Sequence, residues 1–122
     1  MTPYDLKTEA LRETGILEKT ETAGAEEFAI ATSRYELLHA MLLHDGLATW
    51  AYTEDIPDRC AVPVIWMLAN VLATLFGVPV DRKNELQALG GYGAKQISLG
   101  ERQLRKMQAD RYVPQPALIE YF

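Results

Sequence analysis

Residues 61–77 read Ala61-Val62-Pro63-Val64-Ile65-Trp66-Met67-Leu68-Ala69-Asn70-Val71-Leu72-Ala73-Thr74-Leu75-Phe76-Gly77, and how they are read decides the fold. Only Asn70 and Thr74 are plainly polar in this 17-residue run. A membrane-spanning helix requires about 20 such residues. The helix that the run forms, roughly Arg59 to Phe76, carries Pro63 in its first turn and Asn70 near its middle. The segments on either side are amphipathic and need an apolar partner. The run therefore reads as the buried central helix of a small domain.

Towards the N-terminus the helix signals are local and clear. Thr2 can cap, Pro3 suits a first helical position, and Asp5 has the spacing to return a hydrogen bond to the cap. Leu6, Ala10 and Leu11 form an apolar stripe, and Gly15 is a natural stop. Residues 16–23 turn polar after Leu17 and read as a loop. A second helix is expected from about Gly24, with Glu26 and Glu27 facing the positive end of its dipole. Phe28, Ala31, Tyr35, Leu38 and Leu42 follow at spacings of 3, 4, 3 and 4, and Asp45-Gly46 ends the helix. Residues 47–53 are short and aromatic, an extended link closed by Ile56-Pro57.

Beyond Gly77-Val78-Pro79 the reading is contested. Glycines stand at 90, 91, 93 and 100, and each costs about 1 kcal/mol relative to Ala inside a helix. Yet Leu86, Leu89, Gly93, Ile97, Gly100, Leu104 and Met107 keep spacings of 3, 4, 4, 3, 4 and 3. The periodicity favours one long helix from about 81 to 109, bent at the glycines. The rival is a break at Gly90-Gly91 and a restart at Ser98, which has capping-box spacing to Glu101. After residue 111 the chain changes character. Seven of the eleven residues 112–122 are Ala, Val, Leu, Ile, Phe or Tyr, and Pro114 and Pro116 exclude a regular helix over the first half. The expected architecture is all-α: a small four-helix bundle over 1–111 with a long C-terminal helix, then an extended apolar docking tail over 112–122.

Length and charge bound the function. The 122 residues suit one domain of roughly 100–200 residues, able to bury a core unaided. Cys60, the only cysteine, excludes an intrachain disulfide framework, and no Cys/His set has zinc spacing. The opening Met1-Thr2-Pro3-Tyr4-Asp5 lacks the regions of a signal peptide, so the expectation is a soluble protein that works without crossing a membrane. The net charge of −5 divides into five Lys/Arg against twelve Asp/Glu over 1–60, and seven against five over 61–122. An acidic front and weakly basic back argue against general nucleic-acid binding and suit head-to-tail contact between copies, or simply a solvated surface.

Candidate chemistry is thin. Glu36 and His39 form a Glu-x-x-His pair, but di-iron bundles need two such pairs and two further carboxylates. His44 lies five residues from His39, about 140° around a helix, and both read as surface or rim histidines. Cys60 follows Arg59 but lacks a local base, and reads as a partly buried inert thiol. Gly90-Gly91-Tyr92-Gly93 lacks the Lys-Ser/Thr ending of a P-loop and a preceding strand. No catalytic residue, metal site or cofactor is expected. Two features remain. Arg102, Arg105, Lys106 and Arg111 cluster at a helix end, placed either for the dipole or for contact with phosphates or an acidic partner. The second is the tail, Tyr112, Val113, Pro114, Pro116, Leu118, Ile119, Tyr121 and Phe122, which either folds back on its own domain or docks on a neighbour or partner.

Four segments in order carry a family likeness: Ala10-Leu11-Arg12-Glu13-Thr14-Gly15-Ile16-Leu17, Glu21-Thr22-Ala23-Gly24-Ala25-Glu26-Glu27, Leu38 to Trp50 with His44-Asp45-Gly46-Leu47 inside it, and Ile56-Pro57 before an apolar helix ending Leu75-Phe76-Gly77-Val78. The chain resembles the head-to-tail adaptors of tailed bacteriophages, also called head-completion, packaged-DNA stabilisation or tail accessory proteins. The ordered set covers most of residues 1–110, though no single motif in it is specific. The resemblance implies a virion protein of the head–tail junction, assembled in the host cytoplasm. Its copies would form a ring, twelvefold in that family, beneath the portal protein. The ring would extend the channel through which packaged DNA passes and offer a platform to a downstream tail or nozzle protein. The C-terminal segment would grip the portal. The short hydrophobic tail departs from the longer polar ones of some members, and the lytic activity ascribed to some adaptors finds no supporting residues here. The alternative is a small helical regulatory or DNA-binding protein, but the candidate turns sit beside acidic or apolar helices.

Overall fold

The computed structural model describes residues 1–18, 22–93 and 96–112, with side chains described to Ala109. These residues form five helices and no strand: α1 (Pro3–Glu13), α2 (Ala25–His44), α3 (Asp58–Phe76), α4 (Val80–Gly90) and α5 (Leu99–Tyr112). The all-α expectation holds, with five helices where four were expected. α5 reaches Tyr112, the first residue of the expected tail; the rest of it, residues 113–122, lies outside the described residues.

Local chemistry sets the ends of the first three helices. Thr2 Oγ1 accepts a 3.1 Å hydrogen bond from the Asp5 N–H, and Pro3 opens α1. Glu27 reaches back to accept from the Gly24 N–H at 3.2 Å, fixing the start of α2. Past α2, Gly46 takes a φ of +75°, and Leu47 and Ala48 donate to the Leu42 carbonyl. At the end of α3, Gly77 adopts the left-handed conformation and Val78 donates to Ala73, a closed C-terminal turn.

α3 is the axis of the domain. It packs against α1, α2, α4 and α5, and buries Val64, Ile65, Met67, Leu68, Ala69, Leu72 and Ala73. By length and composition alone it could cross a membrane, yet most of it is covered by the chain's other helices. Pro63 falls in its second turn, deeper than the first-turn position expected. The hydrogen bond Pro63 cannot make would have used the carbonyl of Arg59, an exposed residue. The inward stripe of α2 is as read: Ala31, Tyr35, Leu38 and Leu42 are buried and Phe28 is half-buried.

The single helix expected over 81–109 is not formed. The chain leaves the helix after Gly90 through an extended Gly91 and a left-handed Gly93. It restarts at Leu99, where Ser98 Oγ accepts from the Glu101 N–H at 3.2 Å. The break lets both halves pack on the same helix. A Cβ on Gly90 would lie 2.6 Å from the Met67 nitrogen, so only glycine lets α4 approach the α3 backbone this closely. A Cβ on Gly100 would lie 2.8 Å from the Leu89 carbonyl and 3.3 Å from that of Pro63. Leu86 and Leu104 thereby reach one core, while Gly93 and Ile97, counted into the stripe, are exposed.

Gly90→Ala should lower the unfolding free energy by about 3 kcal/mol, since backbone must move to admit the methyl group. Urea denaturation followed by circular dichroism measures this, and an unchanged midpoint would show that the α3–α4 approach is not tight.

Candidate assembly surface

The groups that suggested chemistry are occupied structurally. His39 is not a rim histidine but is buried, its Nε2 2.7 Å from the Trp50 carbonyl and therefore the protonated ring nitrogen. Tyr35 accepts from Trp50 Nε1 at 3.0 Å, so α2 fixes the aromatic link from both sides. Glu36, one turn before the buried His39 on α2, is exposed. His44 is exposed beside Asp45. Among the described residues no three His, Cys, Asp or Glu side chains gather as a metal site. Cys60 is fully buried, more so than expected, with its Sγ 3.8 Å from Met107 Sδ. The Gly93 N–H points at Glu101 Oε1 at 3.4 Å, so a carboxylate sits where a phosphate loop would hold its anion.

The basic cluster of α5 divides. Arg105 is bound to Glu101 at 2.9 Å, and that hydrogen bond raises its pKa. Glu101 itself is buried. Beside them the Tyr92 hydroxyl donates to Asp45 Oδ2. This bond, and then the one from His44, holds the Asp45 carboxyl below the usual carboxylate range. Burial, and then the Asp45 bond, pushes the Tyr92 hydroxyl up. Arg105 thus belongs to a network that joins the end of α2 to the α4–α5 connection. Arg102 and Lys106, four residues apart on α5, are exposed and form no ion pair among the described residues. They are the cations that can meet a partner. The Arg111 side chain lies outside the described residues.

A second surface was not anticipated. Between α2 and α3 runs a groove lined by Arg34, Leu37 and Met41 on one side and Val71 and Leu75 on the other, closed at one end by Tyr92. Leu37, Met41 and Leu75 are 55%, 49% and 46% exposed, large apolar side chains that the other described residues leave uncovered. The sequence held a signal for it. Arg34, Leu37 and Met41 repeat at spacings of 3 and 4, a second stripe on α2 beside the inward one.

The Asp45 network gives a pH test. Its depressed folded-state pKa contributes stability that is present above the unfolded value of about 4 and is lost as pH falls through the folded value. Asp45→Asn should lower the melting temperature at pH 7, with the gap to the parent chain closing below about pH 4. Thermal unfolding from pH 3 to 7 decides it; a gap that persists at low pH would mean the carboxylate charge is not what holds Tyr92.

No protein-family model, curated protein or solved structure matches the chain, so its architecture and surfaces carry the functional argument unaided.

Proposed function

We propose that the chain is a structural head-to-tail adaptor of a tailed bacteriophage. On this reading it forms a ring under the portal protein, extends the DNA channel and gives a platform to a downstream tail protein. The observation that carries the reading is a division of surfaces. An uncovered apolar groove lies between α2 and α3, and an exposed cation pair, Arg102 and Lys106, stands on α5. Apolar faces of this kind mark sites of protein association. These exposed cations suit phosphate contact without base readout, as a channel wall requires.

The segments that carry the resemblance fall at helix ends. The Gly15-Ile16-Leu17 exit follows α1, the Gly24–Glu27 start opens α2, and the His44-Asp45-Gly46-Leu47 turn closes it. In the proposal the apolar residues of 113–122 anchor each subunit to the portal or to its neighbour. The chain is then a weakly associating monomer in solution that oligomerises on the portal.

Size-exclusion chromatography with light scattering, run with and without portal rings, tests this. The portal peak should gain the mass of about twelve chains, the ring number of the resembled family, and lose most of that gain when residues 112–122 are deleted. A portal peak of unchanged mass would overturn the proposal.

A further inference from the structure

The α2–α3 groove has features that point to its occupant. It is an open trough of two adjoining depressions, of about 220 and 330 Å³, that share Arg34, Asn70 and Val71. That shape suits side chains presented by a polypeptide. Arg34 is its only charged lining residue, half-buried and without an ion pair among the described residues. Residues 113–122 are the one markedly apolar stretch outside the described residues, and Glu120 is the only charge in them. Leu118, Ile119, Tyr121 and Phe122 flank that carboxylate. The groove thus offers one cation among apolar side chains, and the segment's sequence one anion among apolar residues.

The direction of α5 decides which copy supplies the segment. Gly100 lies against Pro63 and Met107 against Cys60, so α5 runs antiparallel to α3 and away from the groove. Cys60 to Val71 covers about 16 Å of helix rise, and α5 continues about 8 Å past Met107. A segment returning to its own groove would use about seven stretched residues, at ~3.4 Å each, merely to arrive. Leu118 and Ile119 would be consumed as spacer. Only Glu120, Tyr121 and Phe122 would then be left for the groove, whereas a neighbouring copy can offer all ten residues to it. We infer that residues 113–122 of one chain dock in the α2–α3 groove of another, with Glu120 against Arg34. The inference rests on the assembly reading above and supplies the subunit contact within it.

The test uses the full chain without portal, so that it fails or succeeds independently of ring formation on the portal. Sedimentation velocity over a concentration series should show self-association weakened about tenfold by Arg34→Glu or by Glu120→Arg. Combining the two should restore it to within about threefold of the parent. Mixing Leu37→Cys chains with Leu118→Cys chains and oxidising should give covalent dimers, while the buried Cys60 leaves the parent chain uncrosslinked. Three outcomes overturn the inference: no association at any concentration, charge variants that leave it unchanged, or a doubly substituted chain that cross-links within the monomer. A chain that docks in this way but never joins a portal ring would sink the adaptor proposal and leave the groove contact standing.

Discussion

Everything in this domain depends on covering α3. A 19-residue helix that is apolar almost all round has no face to give to water, and each buried aliphatic side chain contributes roughly 1.5–3 kcal/mol when enclosed. Four other helices share that task, and their own sequences follow from it. α1 and α2 each bring one apolar stripe. α4 and α5 bring little beyond Leu86 and Leu104, so they must come close to be useful. Glycine at 90 and 100 provides that closeness. The groove between α2 and α3 is what remains when four helices do not enclose a fifth completely.

Polar groups then fix the arrangement that apolar burial only favours. Lys7 of α1 is buried with its ammonium 5.3 Å from the Phe28 ring centroid, 5.8 Å from that of Tyr35 and 5.7 Å from that of Tyr52. Burial lowers its pKa below the ordinary lysine value, and the facing rings offset part of that cost through their quadrupoles. Arg82 of α4 binds both the carbonyl and the carboxylate of Glu13, at 2.9 and 2.7 Å, and so joins α4 to the end of α1. The Asp45–Tyr92 bond, with Arg105 and Glu101 beside it, does the same for α2 and the α4–α5 connection. Each tie links helices distant in sequence, which gives the fold one register where the apolar stripes alone would tolerate sliding.

The sequence made legible those features whose cause is local. Thr2, Gly24 with Glu27, Asp45-Gly46 and Gly77 mark helix ends because a cap acts within four residues. The central role of α3 was legible because no other segment could fill the core. The split of the C-terminal half was misread for a physical reason. Gly93 and Gly100 were counted into an apolar stripe although a glycine carries no apolar side chain, and the true reason for Gly90 is the backbone of Met67, far away in sequence. His39 was misplaced for the same kind of reason, since its burial depends on the Trp50 carbonyl. The division of the basic cluster was within reach: Glu101 stands four residues before Arg105, the spacing of a helical ion pair.

The groove and the segment proposed to fill it are different parts of the sequence, and that has a consequence for assembly. A contact between unlike surfaces is heterologous, so it propagates from copy to copy until it closes into a ring or extends as a filament. Two-fold pairing of identical patches would instead stop at a dimer. A small groove that took the segment through one charge pair would give a weak contact and leave free chains apart. On a ring-shaped template the same contact acts between subunits already held side by side, where the effective concentration reaches millimolar and closure adds a final interface without further loss of freedom. Weakness in solution and firmness on a template are then two results of one contact, and the adaptor reading requires that combination.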